Sequence, residues 1–97
     1  MSERLDAAGV ARLIEGLPGW EAEGEGAIVK EFRLRDHVEA VGLVVRVAVA
    51  AEVLNHHPEV WWVYNRVRFR LSTHDAGGVT EKDAELARRI EALAAGG

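Results

Sequence analysis

The 97-residue chain contains no cysteine. That absence excludes a disulfide framework, thiolate catalysis and cysteine-ligated zinc, and it fits a reducing cytoplasm. Positive charge is also scarce: 12 Lys and Arg stand against 16 Asp and Glu, a net charge of −4, which argues against a broad electrostatic footprint for nucleic acid. Apolar runs such as Val47–Ala51 fall far short of the ~20 residues that cross a bilayer, and the opening MSERLDAAG lacks the basic region and apolar run of a secretory signal. The expectation is a soluble cytoplasmic protein with neither a membrane nor a nucleic-acid partner. No linker, internal repeat or low-complexity block divides residues 1–97, so one domain is expected, with a modest core that self-association would enlarge.

The elements that are present follow in order. Leu5, Val10, Leu13, Ile14 and Leu17 recur at helical spacing before Leu17, Pro18 and Gly19, predicting an amphipathic helix over 4–16. Trp20–Glu23 and Ala27–Arg35 flank Gly24, Glu25 and Gly26, and in the second segment Ile28, Lys30, Phe32 and Leu34 alternate with Val29, Glu31, Arg33 and Arg35, predicting a hairpin. Residues 36–55 are rich in valine, a strand former. Helical spacing of Val38, Val41, Val45, Ala48 and Glu52, with Asp36 and Glu39 placed as a cap, outweighs that propensity and predicts a helix with its exit before Pro58. From Val60 to Leu71, Val63, Val67, Phe69 and Leu71 share one parity and Trp62, Tyr64, Arg66, Arg68 and Arg70 the other, and Asn65 offers a turn that would split the segment. Thr80 and Asp83 resemble a capping box ahead of Ala84, Ala87, Ile90, Leu93 and Ala94, the apolar face of a last helix. The fold class is α+β, with helices covering one face of an antiparallel sheet.

Two of the four histidines are adjacent, in AEVLNHHPE at 51–59. Glu52 and His56 are four apart, so on a continuing helix they share a face and the carboxylate orients the imidazole. Pro58 biases His57 out of the helical region, so the two rings are free to aim differently. His74, at the far end of the later strand, is placed to join them, and three imidazoles there would form an acid/base site that works near neutral pH without a metal. A polar exit turn is the bland alternative. A zinc or iron site on Glu52, His56, His57 and His74 is another, although the spacing differs from HExxH. Trp61 and Trp62 are candidates to stack on a flat heterocycle, or to pack in a core or subunit interface. Arg66, Arg68 and Arg70 suit a charged outer strand face better than a phosphate site, and His37, near a helix start, reads as solvated.

The string AEVLNHHPEVWWVYNRVRFRLSTHDAGGVTEKD resembles the pterin-4a-carbinolamine dehydratase family. Glu52, His56, His57, Pro58, Tyr64, His74 and Asp83 fill that family's pattern at its spacings, and Gly19 with Trp20, the first hairpin and the long helix extend the likeness over most of the chain. The resemblance implies a four-stranded antiparallel sheet with three helices on one face, in the order α-β-β-α-β-β-α, assembled as a homodimer or homotetramer. It implies a hydro-lyase that removes water from a 4a-hydroxytetrahydropterin, the product of aromatic amino acid hydroxylases, to give quinonoid dihydropterin, with no metal and no organic cofactor. It places His56, His57 and His74 as the catalytic set, Glu52 as support for His56, and Pro58, Trp61 and Trp62 around the substrate; Asp83 is read mainly as a helix cap, since a carboxylate at a helix start is sufficient explanation. The alternative that the family allows is a dimerisation or regulatory scaffold that binds transcription factors, with little or no dehydratase activity.

Overall fold

The computed structural model describes residues 3–96 of the chain. Helix α1 spans Ala7–Glu15, strand β1 Glu21–Glu23, β2 Ala27–Arg33, helix α2 His37–Leu54, β3 Glu59–Val63, β4 Arg66–Leu71 and helix α3 Glu81–Gly96, with a single 3-10 turn at His74–Ala76. The strands form one antiparallel sheet in the order β1-β2-β4-β3, and the three helices cover one side of it, as expected.

The alternation in β2 and β4 sorts the sheet into two faces. Ile28, Val67, Phe69 and Leu71 point inward and are fully buried against Leu43 and Val47 of α2 and Leu86, Ala87 and Ile90 of α3. Emptying a site such as that of Phe69 costs about 3–5 kcal/mol. Lys30 also points inward, where it is ion-paired with Glu91 and donates to the Pro18 carbonyl at 2.9 Å, while the Trp20 indole N–H donates to Glu91 at 2.9 Å. The outward face carries an arginine column. Arg66 pairs with Glu31 at 3.0 Å, Arg68 with Glu23 at 3.2 Å, and Arg70 with both Glu23, at 2.7 Å, and Glu59.

Three departures from the sequence reading have physical causes. The hairpin turns at Tyr64 and Asn65, and Tyr64 takes a φ of 51°, the positive value that tight hairpin turns require. Asn65 pins this turn to the end of β2 through Leu34: the Leu34 N–H donates to the Asn65 carbonyl at 2.7 Å, and the Asn65 amide donates to the Leu34 carbonyl at 3.0 Å. The two-residue turn pairs Trp62 with Val67 and Val63 with Arg66, so Trp62 shares the inner face and Val63 the outer, opposite to a single continuous parity.

In α2 the core takes Ala40, Leu43, Val47 and Ala51, whereas Val38, Val45, Val49 and Val53 are 55–74% exposed. The helix carries apolar residues around most of its circumference, so periodicity identified a helix without deciding which stripe meets the sheet. Finally, α1 begins later than residue 4 because Asp6 caps it, accepting the Gly9 N–H at 2.8 Å.

Candidate active site

The histidine doublet owes its position to the way α2 stops. Asn55 adopts the left-handed conformation, with φ 52° and ψ 44°; its N–H donates to the Glu52 carbonyl at 3.1 Å and the His56 N–H donates to that of Ala51 at 2.9 Å. This pair of bonds is a Schellman motif, which closes the helix before Pro58 has any part in ending it. His56 therefore leaves the helical spiral, and the expected support of His56 by Glu52 does not form. Glu52 instead accepts from Nε2 of His57 at 2.8 Å, in a pair whose side chains are 80% and 58% exposed.

His56 finds its partner on α3. Its Nε2 lies 2.6 Å from Oδ1 of Asp83, a carboxylate with no exposed surface. The other oxygen, Oδ2, accepts the Thr80 N–H at 2.9 Å and the Thr73 hydroxyl at 2.8 Å. The first of these is one half of the predicted capping box; in place of the other half the Thr80 hydroxyl accepts the Lys82 N–H at 3.1 Å, and a carboxylate in the first turn also suits the positive end of the helix dipole. Sequence reasoning stopped at that role and missed the bond to His56. The signal available was the aspartate that ends the seven-residue motif.

Beyond β4 the chain folds back on itself, with Thr73 and Gly78 bridged, and the 3-10 turn begins at His74. This loop brings His74 to the doublet. His56, His57 and His74 line one open cleft of about 290 Å³ with Asn55, Asp75 and Lys82 on its rim. A larger groove of about 390 Å³ between α1 and α3, bordered by Leu13, Leu17, Arg12 and Arg88, holds no histidine.

The remaining candidates lie elsewhere. Pro58 sits between α2 and β3. Trp61 and Trp62 belong to the edge strand β3 and do not line the histidine cleft. The Arg66 guanidinium lies 5.3 Å from the Trp61 ring centre on the outer face, and Trp62 stacks on His37 at 5.2 Å, with Tyr64 on the same imidazole at 6.5 Å. His37, expected to be merely solvated, is thus part of an exposed aromatic stack. Among the described residues no three His, Asp or Glu side chains are grouped to hold a metal ion, and no helix is long and apolar enough to cross a membrane.

Known proteins are similar to this chain in sequence and fold. The family model for pterin 4 alpha carbinolamine dehydratase matches residues 3–93. A protein from Thermomicrobium roseum named "Putative pterin-4-alpha-carbinolamine dehydratase" is 46% identical over 94% of this chain and 97% of its own length. One of the same name from Burkholderia cenocepacia is 54% identical over 84% of this chain and 81% of its own. A solved structure from Brucella melitensis, described as a transcriptional coactivator/pterin dehydratase, superposes with a TM-score of 0.90 at 39% identity, covering 95% of this chain and 99% of that one. A pterin dehydratase-like protein identified as a RuBisCO assembly factor in the alpha-carboxysome shares the fold at a TM-score of 0.67 and 22% identity, over 78% of this chain and 89% of that one. The chain belongs to the pterin 4 alpha carbinolamine dehydratase family.

Proposed function

We propose that the protein catalyses the loss of water from a 4a-hydroxytetrahydropterin, giving quinonoid dihydropterin, with histidines as the only proton carriers. A proton delivered to the 4a-hydroxyl lets its C–O bond break and water depart, and a second group removes a proton from the ring nitrogen, so the net change is one water lost. Imidazoles exchange protons near neutral pH in both directions, and a positioned one contributes roughly 10²–10⁴-fold to such a step. The observation that carries this reading is the convergence of His56, His57 and His74 on one cleft. Their different surroundings suit different tasks, since His56 is anchored on a buried carboxylate and His57 stands exposed on Glu52. The reaction needs neither metal nor organic cofactor, and it would take place in the cytoplasm, returning the product of an aromatic amino acid hydroxylase to a form that a reductase recycles.

The test is a rapid-mixing assay of dehydration against buffer, repeated with a chelator and with His56→Ala, His57→Ala and His74→Ala after each fold is checked by circular dichroism. Acceleration that survives chelation and falls in the variants is expected. No acceleration by the wild type would leave a binding scaffold as the reading, and loss of activity on chelation would replace the acid/base reading with a metal one. The paired arginine column, whose charges are met by Glu23, Glu31 and Glu59, favours the reading without nucleic acid.

Self-association is part of this proposal. The exposed valines of α2 and the exposed Val60, Trp61, Trp62 and Val63 of β3, an edge strand open on one side, with Tyr64 of the adjoining turn, offer two apolar surfaces suited to other copies of the chain. Val49→Glu should lower the sedimentation coefficient; a monomeric wild type at micromolar concentration would refute this part.

A further inference from the structure

We propose that Asp83 is a positioning residue that holds His56 in its Nε2–H tautomer, so that Nδ1 is the nitrogen exchanging a proton with a ligand in the cleft. The catalytic consequence rests on the dehydratase reading, whereas the tautomer is a property of the free protein.

The direction of each proton follows from the network. The Thr73 hydroxyl has a single proton and spends it on Oδ2 of Asp83 at 2.8 Å. In the 2.7 Å contact between the two threonine hydroxyls, Thr80 is therefore the donor and Thr73 the acceptor. The Thr80 oxygen in turn accepts the Lys82 N–H at 3.1 Å. With the Thr80 N–H also on Oδ2, that oxygen is supplied with donors twice over. Oδ1 has only His56 Nε2 beside it, 2.6 Å away, in a residue with no exposed surface.

A carboxylate only accepts hydrogen bonds, so the nitrogen facing it carries the hydrogen. Nδ1 of His56 makes no hydrogen bond among the described residues and is not among their fully enclosed unpartnered atoms, so it keeps some exposed surface on a residue that lines the cleft. Capping accounts for Oδ2 alone. It leaves the bond through Oδ1 unexplained, and it does not require a carboxylate buried to the last atom. A buried carboxylate that fixes an imidazole also stabilises the imidazolium formed when the free nitrogen takes up a proton.

The test is long-range proton–nitrogen correlation spectroscopy of the nitrogen-15 histidine-labelled full chain, paired with steady-state kinetics. At a pH where its ring is neutral, His56 of the wild type should carry its hydrogen on Nε2. In Asp83→Asn the amide oxygen can keep the Thr73 and Thr80 donors, which turns the NH₂ toward His56 and should move its hydrogen to Nδ1. kcat should then fall by roughly two to four orders of magnitude, the share that a positioned acid or base supplies, with KM changing less. Thr73→Val should lower kcat and Thr73→Ser should restore it.

An Nδ1–H tautomer in the wild type would overturn the proposal without any variant having to fold. So would an Asp83→Asn protein that keeps the wild-type tautomer, or one that keeps the wild-type kcat. A wild type without dehydratase activity would remove the functional reading, and the two tautomers would still decide the positioning role.

Discussion

The outer face of the sheet and the buried side of His56 both hold carboxylates in hydrogen bonds, under opposite conditions. On the outer face Glu23, Glu31 and Glu59 meet three arginines in solvent. The guanidinium of Arg70, with help from Arg68, holds the Glu23 carboxyl below its ordinary range, and Glu23 and Glu59 push Arg70 further up. Such pairs are screened and individually weak. Behind His56 a single carboxylate, Asp83, is wholly enclosed, and it has a specific donor for every bond it makes. Several charges in water decorate a surface; one charge out of water specifies the geometry of everything bonded to it.

The sharpest way to test that contrast is activity. His56→Ala should reduce kcat by roughly 10²–10⁴-fold, equivalent to about 3–5 kcal/mol of barrier, whereas Glu52→Gln, which touches only an exposed pair, should change it less than about threefold. Equal losses in the two assays would erase the distinction between the buried and exposed histidines. Next comes stability. Asp83→Ala strands the Thr73 hydroxyl, the Thr80 N–H and His56, and should cost about 3 kcal/mol in urea unfolding.

Asn55→Ala places an ordinary side chain in a left-handed conformation and should cost about 1 kcal/mol, while Asn55→Gly should be near neutral. The smallest effect belongs to the outer face: Glu23→Gln should leave the urea midpoint unchanged at neutral pH and moderate salt. Because the folded-state pKa of Glu23 is lowered, any stability it adds is present above about 3.9–4.3, the ordinary carboxylate range, and fades as pH falls through the lowered value. The same holds for Asp36, held low by the Glu39 N–H and by Arg35. Acid titrations of the wild type and Asp36→Asn, followed by circular dichroism, should converge at the acid end; curves that diverge there would contradict the assignment.

Sequence carried the element order because the relevant signals are local. Asp36 and Thr80 cap because a carboxylate or hydroxyl two or three residues ahead of a free N–H can accept from it, and alternation in β2 marks its two faces. What escaped the sequence depends on distant partners. The stripe of α2 that meets the sheet is chosen by Phe69 and Leu71, far along the chain, and the valines that stay outside share the same period. Of the site, the histidine doublet and His74 were legible as a motif. The exchange of partners was not, because it follows from one residue: Asn55 in a left-handed conformation takes His56 off the helical spiral and away from Glu52. Asp83 was visible only in the role that its own helix explains.

The 2.6 Å bond between His56 and Asp83 joins the trailing end of α2 to the leading end of α3. It works as a caliper on the spacing of the two helices, since a hydrogen bond of this length tolerates displacements of only a few tenths of an ångström. Leu43, Val47, Leu86 and Ile90, which set that spacing, therefore also set how firmly the imidazole is held. The outward stripe of α2 belongs to the same rigid rod. A partner that settled on Val45 and Val49 would rest on the helix that carries this grip at its end.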